Sequence, residues 1–173
     1  MFKKRNAFFL FVLISIVSYV FYDHSKKYSF INTYEDRSDT LSYVYVDTLA
    51  HSGKYANLIN QHYRYNKGFS IRPSQFNNKK IKRLRYQLYA YTPSYSNQFY
   101  FVTHVVNDTI IYYKRNPIYL QNHQKNRWQK YKGEYDVNFD YDWKENMELV
   151  FYIYNEKGNQ VFIDDFSVHL YTE

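Results

Sequence analysis

The chain has no cysteine, and only four glycines and three prolines in 173 residues. Without thiols there is no disulfide, no cysteine nucleophile and no lipid-carrying N-terminal cysteine. That absence leaves the compartment open, because many exported domains of this size carry no disulfide. So few glycines leave little material for phosphate-cradling loops, and no G-x-G-x-x-G, Walker-type, G-x-S-x-G or H-E-x-x-H spacing occurs. The six histidines are dispersed, with no pair at helical ligand spacing. Glycosidase chemistry needs two carboxylates facing each other across a cleft. Glu134 with Asp136, and Asp140 with Asp142, are same-strand pairs that project together instead. The sequence therefore reads as a non-enzyme. Long amphipathic helical periodicity is missing too, and alanine is scarce.

What is abundant is aromatic: 23 tyrosines and 14 phenylalanines. Aromatic and β-branched side chains fit a pleated, half-buried surface better than a helix, so the composition points to strands. Tyrosine can pack its ring and still present its hydroxyl to water, which suits a folded domain with a polar average. A formal charge of +7 would accept an anionic partner such as nucleic acid, an acidic polysaccharide or a lipid surface. The basic residues are scattered apart from clusters at Lys3, Lys4 and Arg5 and at Lys79, Lys80, Lys82, Arg83 and Arg85. No RNA-binding signature or zinc spacing accompanies them, so nucleic acid is a poor fit.

Residues 1–6 are short and basic, and residues 7–22 are apolar and aromatic except for Ser15 and Ser18. This is the pattern of an export signal or signal anchor, near the lower length for a transmembrane helix. Bulky residues at Tyr19, Val20, Phe21 and Tyr22 stand where a signal peptidase needs small ones, which favours an uncleaved membrane anchor. The basic flank then stays in the cytoplasm and the remainder is extracytoplasmic, periplasmic or extracellular. Residues 1–27 read as anchor and linker, and residues 28–173 as one domain of ordinary size.

From Tyr28 onward the apolar pattern becomes short period-two stretches between polar turns, the mark of antiparallel strands. The expected strands span residues 28–35, 54–60, 68–72, 82–91, 98–106, 109–114, 128–137, 148–155 and 160–171. That many strands in one domain point to an all-β sandwich. In residues 84–91 the phase turns Leu84, Tyr86, Leu88 and Ala90 inward and leaves Arg85, Gln87, Tyr89 and Tyr91 outside. In residues 149–154, Leu149, Phe151 and Ile153 go inward, with Val150, Tyr152 and Tyr154 outside. The polar loop of residues 155–159, containing Gly158, is expected to pair the last two strands as a hairpin.

Three stretches, in order, resemble the calcium-stabilised jelly-roll β-sandwich of carbohydrate-binding modules, a galactose-binding-like domain. Residues 148–155 followed by residues 161–170, with Ile163-Asp164-Asp165 before Phe166, resemble the closing strands of that group. Residues 30–36, with Tyr34-Glu35, resemble its opening strand, and His51-Ser52-Gly53-Lys54-Tyr55-Ala56 its Ser-Gly-Lys turn. The resemblance implies a structural calcium held by Glu35, Asp164 or Asp165, and the carbonyls around Lys54, since a hard cation takes carboxylate and carbonyl oxygens. The other reading of the acidic pair is that one aspartate accepts backbone N–H bonds at a bulge while its neighbour faces solvent.

The resemblance also implies non-catalytic glycan binding by rings stacked on sugar faces. The candidates on the non-core face are Tyr89, Tyr91, Tyr100, Tyr152 and Tyr154, accompanied by Arg85, Gln87 and His104, with Trp128 as a loop-edge platform. With so many tyrosines, most rings are packing, and Trp128 and Trp143 also suit a core or rim. The alternative from another class is a membrane-anchored scaffold that contacts an envelope protein and binds no sugar. A row of rings with polar neighbours favours the glycan, and a contiguous apolar patch with a polar rim favours the protein.

Overall fold

The computed structural model describes residues 26–36, 43–93, 98–119, 126–139 and 141–173. The expected N-terminal hydrophobic helix lies outside the described residues. Among the described residues no helix is long and apolar enough to cross a membrane. In chain order the strands are β1 (Lys26–Asn32), β2 (Val44–Val46), β3 (Ala56–Ile59), β4 (Phe69–Ile71), β5 (Ile81–Tyr91), β6 (Gln98–Asn107), β7 (Thr109–Tyr119), β8 (Trp128–Phe139), β9 (Glu148–Asn155) and β10 (Val161–Thr172). One 3-10 turn, Pro73–Phe76, precedes β5.

Two antiparallel sheets result. Sheet A has the order β2-β3-β10-β5-β8, and sheet B the order β4-β9-β6-β7. β1 also pairs with β10, on the same edge as β3. The first residues of β10, Val161 to Ile163, take β3 as neighbour, and from Phe166 onward the neighbour is β1. The exchange happens at Asp164 and Asp165, where the register against β5 slips by a residue and Asp165 adopts a positive φ of 47°. A bulge of this kind re-aims side chains locally.

The core follows from the alternation. Leu84, Tyr86, Leu88 and Ala90 are buried facing Phe99, Phe101, Leu149, Phe151 and Ile153 of the other sheet. Phe101 is the centre: its ring stacks at 4.1 Å on Tyr86 across the sandwich and at 5.8 Å on Phe151 beside it. Such aromatic pairs add about 0.5–1.5 kcal/mol each beyond their burial. Between the sheets the Thr103 hydroxyl meets the Tyr135 hydroxyl at 2.5 Å, and burial raises the Tyr135 phenol well above its ordinary value.

Several expectations are corrected. The last two strands are not a hairpin: β9 lies in sheet B and β10 in sheet A, so residues 156–160 form an arch between the sheets. The cause is the phase itself, since Ile153 and Val161 both point into the core and must face each other across it. Asn155, fully buried, closes the arch by accepting the Gly158 N–H at 3.2 Å. β7 runs on to Tyr119 through Pro117, which an edge strand tolerates because its open side carries no ladder bonds. β2 was not expected, being too short to show a period. β1 spans Lys26–Asn32, where the expected strand ran over residues 28–35.

Candidate functional site

Sheet B turns a ring-covered face to solvent. Residues 61–68 run beside β9 as an irregular continuation of β4. The Asn66 N–H donates to the Ile153 carbonyl, the Asn66 side-chain oxygen accepts the Ile153 N–H at 2.5 Å, and the Asn155 N–H donates to the Arg64 carbonyl. The contact is so close that a Cβ on Gly68 would sit 1.8 Å from the Phe151 carbonyl oxygen, so only glycine fits. This seating places Tyr65 against Tyr154 at 5.1 Å and against Tyr152 at 5.4 Å.

Two rows of rings cross the strands from there. One is Tyr65, Tyr154 and Tyr100, near-parallel, with Tyr154 and Tyr100 6.3 Å apart. The other is Tyr65, Tyr152, His104 and Tyr113, with His104 5.5 Å from Tyr152 and 6.4 Å from Tyr113. Between them Val102 is covered completely despite pointing outward. At the far end Arg115 lies 5.1 Å over Tyr100 and pairs with Glu156, which also accepts the Tyr100 hydroxyl. Next to Tyr152 a cleft of about 740 Å³ opens, lined by Tyr63, Tyr65, Lys67, Ser70 and Val150.

Burial keeps the phenol and imidazole groups of this face uncharged near neutral pH. Burial, helped by Tyr113 and Tyr65, pushes the Tyr152 phenol up to about 12, and burial pushes the His104 imidazole down. Among the described residues His104 Nδ1 is enclosed with no hydrogen-bond partner. Near neutral pH the face therefore offers uncharged hydroxyls, an imidazole and flat rings.

The other expected ligand residues lie on the opposite side of the sandwich. On the outer face of sheet A the register sets side chains in rows across β10, β5 and β8: Phe162-Tyr91-Trp128, Asp164-Tyr89-Lys130, Ser167-Gln87-Lys132 and His169-Arg85-Glu134. The single non-core face expected from the sequence is thus two faces. Tyr100, His104, Tyr152 and Tyr154 share one; Arg85, Gln87, Tyr89, Tyr91 and Trp128 share the other. Trp128 is 5.9 Å from Tyr91 and 5.7 Å from His51, and His51 stacks on Tyr89 at 3.5 Å, so these rings largely cover one another.

The acidic residues meet at one loop. Asp164, fully buried, accepts the backbone N–H groups of His51 at 2.8 Å, Ser52 at 3.0 Å and Asp165 at 2.7 Å. Glu35 accepts the N–H of Lys54 at 2.8 Å and of Tyr55 at 3.1 Å. Asp165 takes the Ser52 hydroxyl at 2.6 Å and the His51 imidazole at 2.8 Å. Burial pushes the Asp164 carboxyl above its ordinary range, against the pull of the N–H donors.

This donor set does not fit the calcium shell the resemblance implies. Lys54 turns its amide N–H to Glu35, where a cation would need its carbonyl, and a run of N–H groups favours anions. Among the described residues no group of three or more His, Asp or Glu side chains is placed to hold a metal ion. Glu35, Lys54, Asp164 and Asp165 do converge, as expected, but as a hydrogen-bonded clamp on residues 51–55.

Sequence reasoning missed Tyr65, Tyr113 and Arg115. Tyr65 precedes a short strand in a stretch without period, Tyr113 lies in an expected strand given no facing, and Arg115 lies just past that strand's expected end at residue 114.

No protein family matches the chain by sequence, and no curated protein does. Solved structures do match. The CBM22-2 xylan-binding domain of Paenibacillus barcinonensis Xyn10C aligns over 82% of this chain and 91% of its own, at 10% identity and a TM-score of 0.50. The C-terminal family 22 carbohydrate-binding module of Clostridium thermocellum Xyn10B aligns over 74% of this chain and 79% of its own, at 12% identity and a TM-score of 0.50. The order of strands, the two-layer core and these alignments give one conclusion: the chain folds as the two-sheet sandwich found in carbohydrate-binding modules.

Proposed function

We propose that the chain is a non-catalytic glycan-binding module whose sugar platform is the outer face of sheet B. The carrying observation is the pair of ring rows meeting at Tyr65 beside the cleft. Flat apolar ring faces suit the C–H faces of a sugar, and the hydroxyls of Tyr152 and Tyr154 with His104 can exchange hydrogen bonds with its hydroxyl groups. Uncharged rings of this kind suit a neutral polysaccharide. Xylan is the first to test, because the Paenibacillus neighbour is a xylan-binding domain. Residues 1–27 would hold the module to a membrane on the extracytoplasmic side, a reading that rests on their apolar run alone.

The test is gel retardation of the purified chain in neutral and acidic polysaccharides. Tyr65→Ala and Tyr154→Ala should each weaken neutral-glycan binding by about tenfold, equivalent to about 1.4 kcal/mol. A blank across all neutral polysaccharides removes the reading. One observation favours the second reading, a scaffold contacting an envelope protein: edge strand β7 exposes Ile110, Ile111, Tyr113 and Tyr119. That reading predicts binding partners lost on charging Ile111 and no glycan retardation.

A further inference from the structure

The outer face of sheet A carries a trough that the platform on sheet B does not use. It has a volume of about 570 Å³ and follows from the row order. Gln87, Tyr86, Lys132 and Gly133 line its middle, with Ser167 beside Gln87 on β10. One side is Lys130, which leans over the neighbouring Tyr89 ring at 5.7 Å. The other is Arg85, His169 and Glu134, with Arg85 paired to Glu134 and leaning over the Tyr171 ring at 5.6 Å.

The charge here is positive. Arg83 and Arg85 share Glu134, and Arg83 also holds Asp136, so both carboxylates of β8 are engaged. Lys130 and Lys132 project from the same strand with their side chains exposed. His169 reports the field: burial, then the charges of Lys27 and Arg85, lower its proton affinity. The ring faces are already taken, since His51 stacks on Tyr89 at 3.5 Å and Lys130 sits over the same ring at 5.7 Å. A nucleic-acid base needs an open ring to stack on. A carboxylate needs only the ammonium groups, and sugar hydroxyls can use Gln87 and His169.

We propose that this trough is a second binding site, for an acidic polysaccharide whose uronate carboxylates lie between Lys130 and Lys132. The ligand is bound by charge and hydrogen bonds, so its affinity falls with added salt. It is independent of the sheet B platform, which is read separately with neutral polysaccharide.

The experiment uses the full chain and four probes: polygalacturonate, its methyl ester, inorganic polyphosphate and a single-stranded oligonucleotide. Polygalacturonate should bind and weaken with salt, and its methyl ester should bind at least tenfold more weakly. In the double variant Lys130→Gln/Lys132→Gln the affinity for polygalacturonate should fall at least tenfold, with melting temperature and neutral-glycan retardation unchanged. Unchanged binding in that variant overturns the site. Equal or tighter binding of polyphosphate reduces it to bare charge attraction and overturns the glycan, and tighter binding of the oligonucleotide replaces it with a nucleic-acid surface. Failure of neutral-glycan binding alone leaves this site standing and removes only the sheet B platform.

Discussion

Replacing Gly68 with alanine tests whether the backbone contact that seats residues 61–68 also builds the aromatic platform. The added methyl would sit 1.8 Å from the Phe151 carbonyl oxygen and 2.9 Å from the Tyr152 Cβ. β9 cannot retreat, because β4 and β6 hold it on both edges, so the 61–68 segment must move. Overpacking of this kind costs about 1–3 kcal/mol. Displacing the segment also strains the two Asn66–Ile153 hydrogen bonds, worth about 1 kcal/mol each. The sum is about 3–5 kcal/mol, or roughly 10 °C in melting temperature for a domain of this size. Differential scanning calorimetry reads the stability, and xylan retardation at a temperature well below the transition reads the site. Tyr65 should lose its register with Tyr152 and Tyr154, so binding falls in the folded variant as well. A melting temperature within about 2 °C of the parent, or full retention of binding, would refute the reasoning that this contact positions the rings.

Three further outcomes follow from the geometry. Asp164→Ala leaves the N–H groups of His51, Ser52 and Asp165 without their acceptor and should destabilise the fold by about 2–4 kcal/mol in urea titration. Millimolar calcium or a chelator should leave the melting temperature of the parent chain unchanged, and a calcium-dependent rise would reinstate a metal at Glu35 and Asp164. Burial pushes Tyr131 and Tyr152 from 10.0 up to about 12. Their contribution to stability is complete below about pH 10 and is lost as the pH climbs toward 12, because the unfolded chain ionises first. Tyrosinate absorbance against pH should show a late-titrating fraction that merges with the bulk on alkaline unfolding; a single transition at the ordinary value would contradict the burial.

The strands were legible where a long alternation ran uninterrupted. β9 matches its expected range, and β5 and β6 differ from theirs by a residue. The inward sets Leu84-Tyr86-Leu88-Ala90 and Leu149-Phe151-Ile153 are buried as the alternation requires. Shorter signals carried less. β2 has too few residues to show a period, β7 runs past its expected end at residue 114 and through a proline that its edge position accommodates, and the segment holding Tyr65 has no alternation at all. The acidic stretch was legible as a convergence of Glu35, Lys54, Asp164 and Asp165, but its chemistry depended on which way the Lys54 peptide unit faced.

By itself the sequence determined the layer: alternating aromatic and β-branched residues can bury one side of a strand only by stacking two sheets, and the phase of each strand names the buried side. It could not determine which sheet each strand joins. That is a matter of long-range pairing, and it turned an expected hairpin into an arch after Asn155. The same assignment divided one list of outward rings into an aromatic platform on sheet B and a cationic trough on sheet A. Period two tells a side chain in from out; only the partner strands decide which outward residues become neighbours.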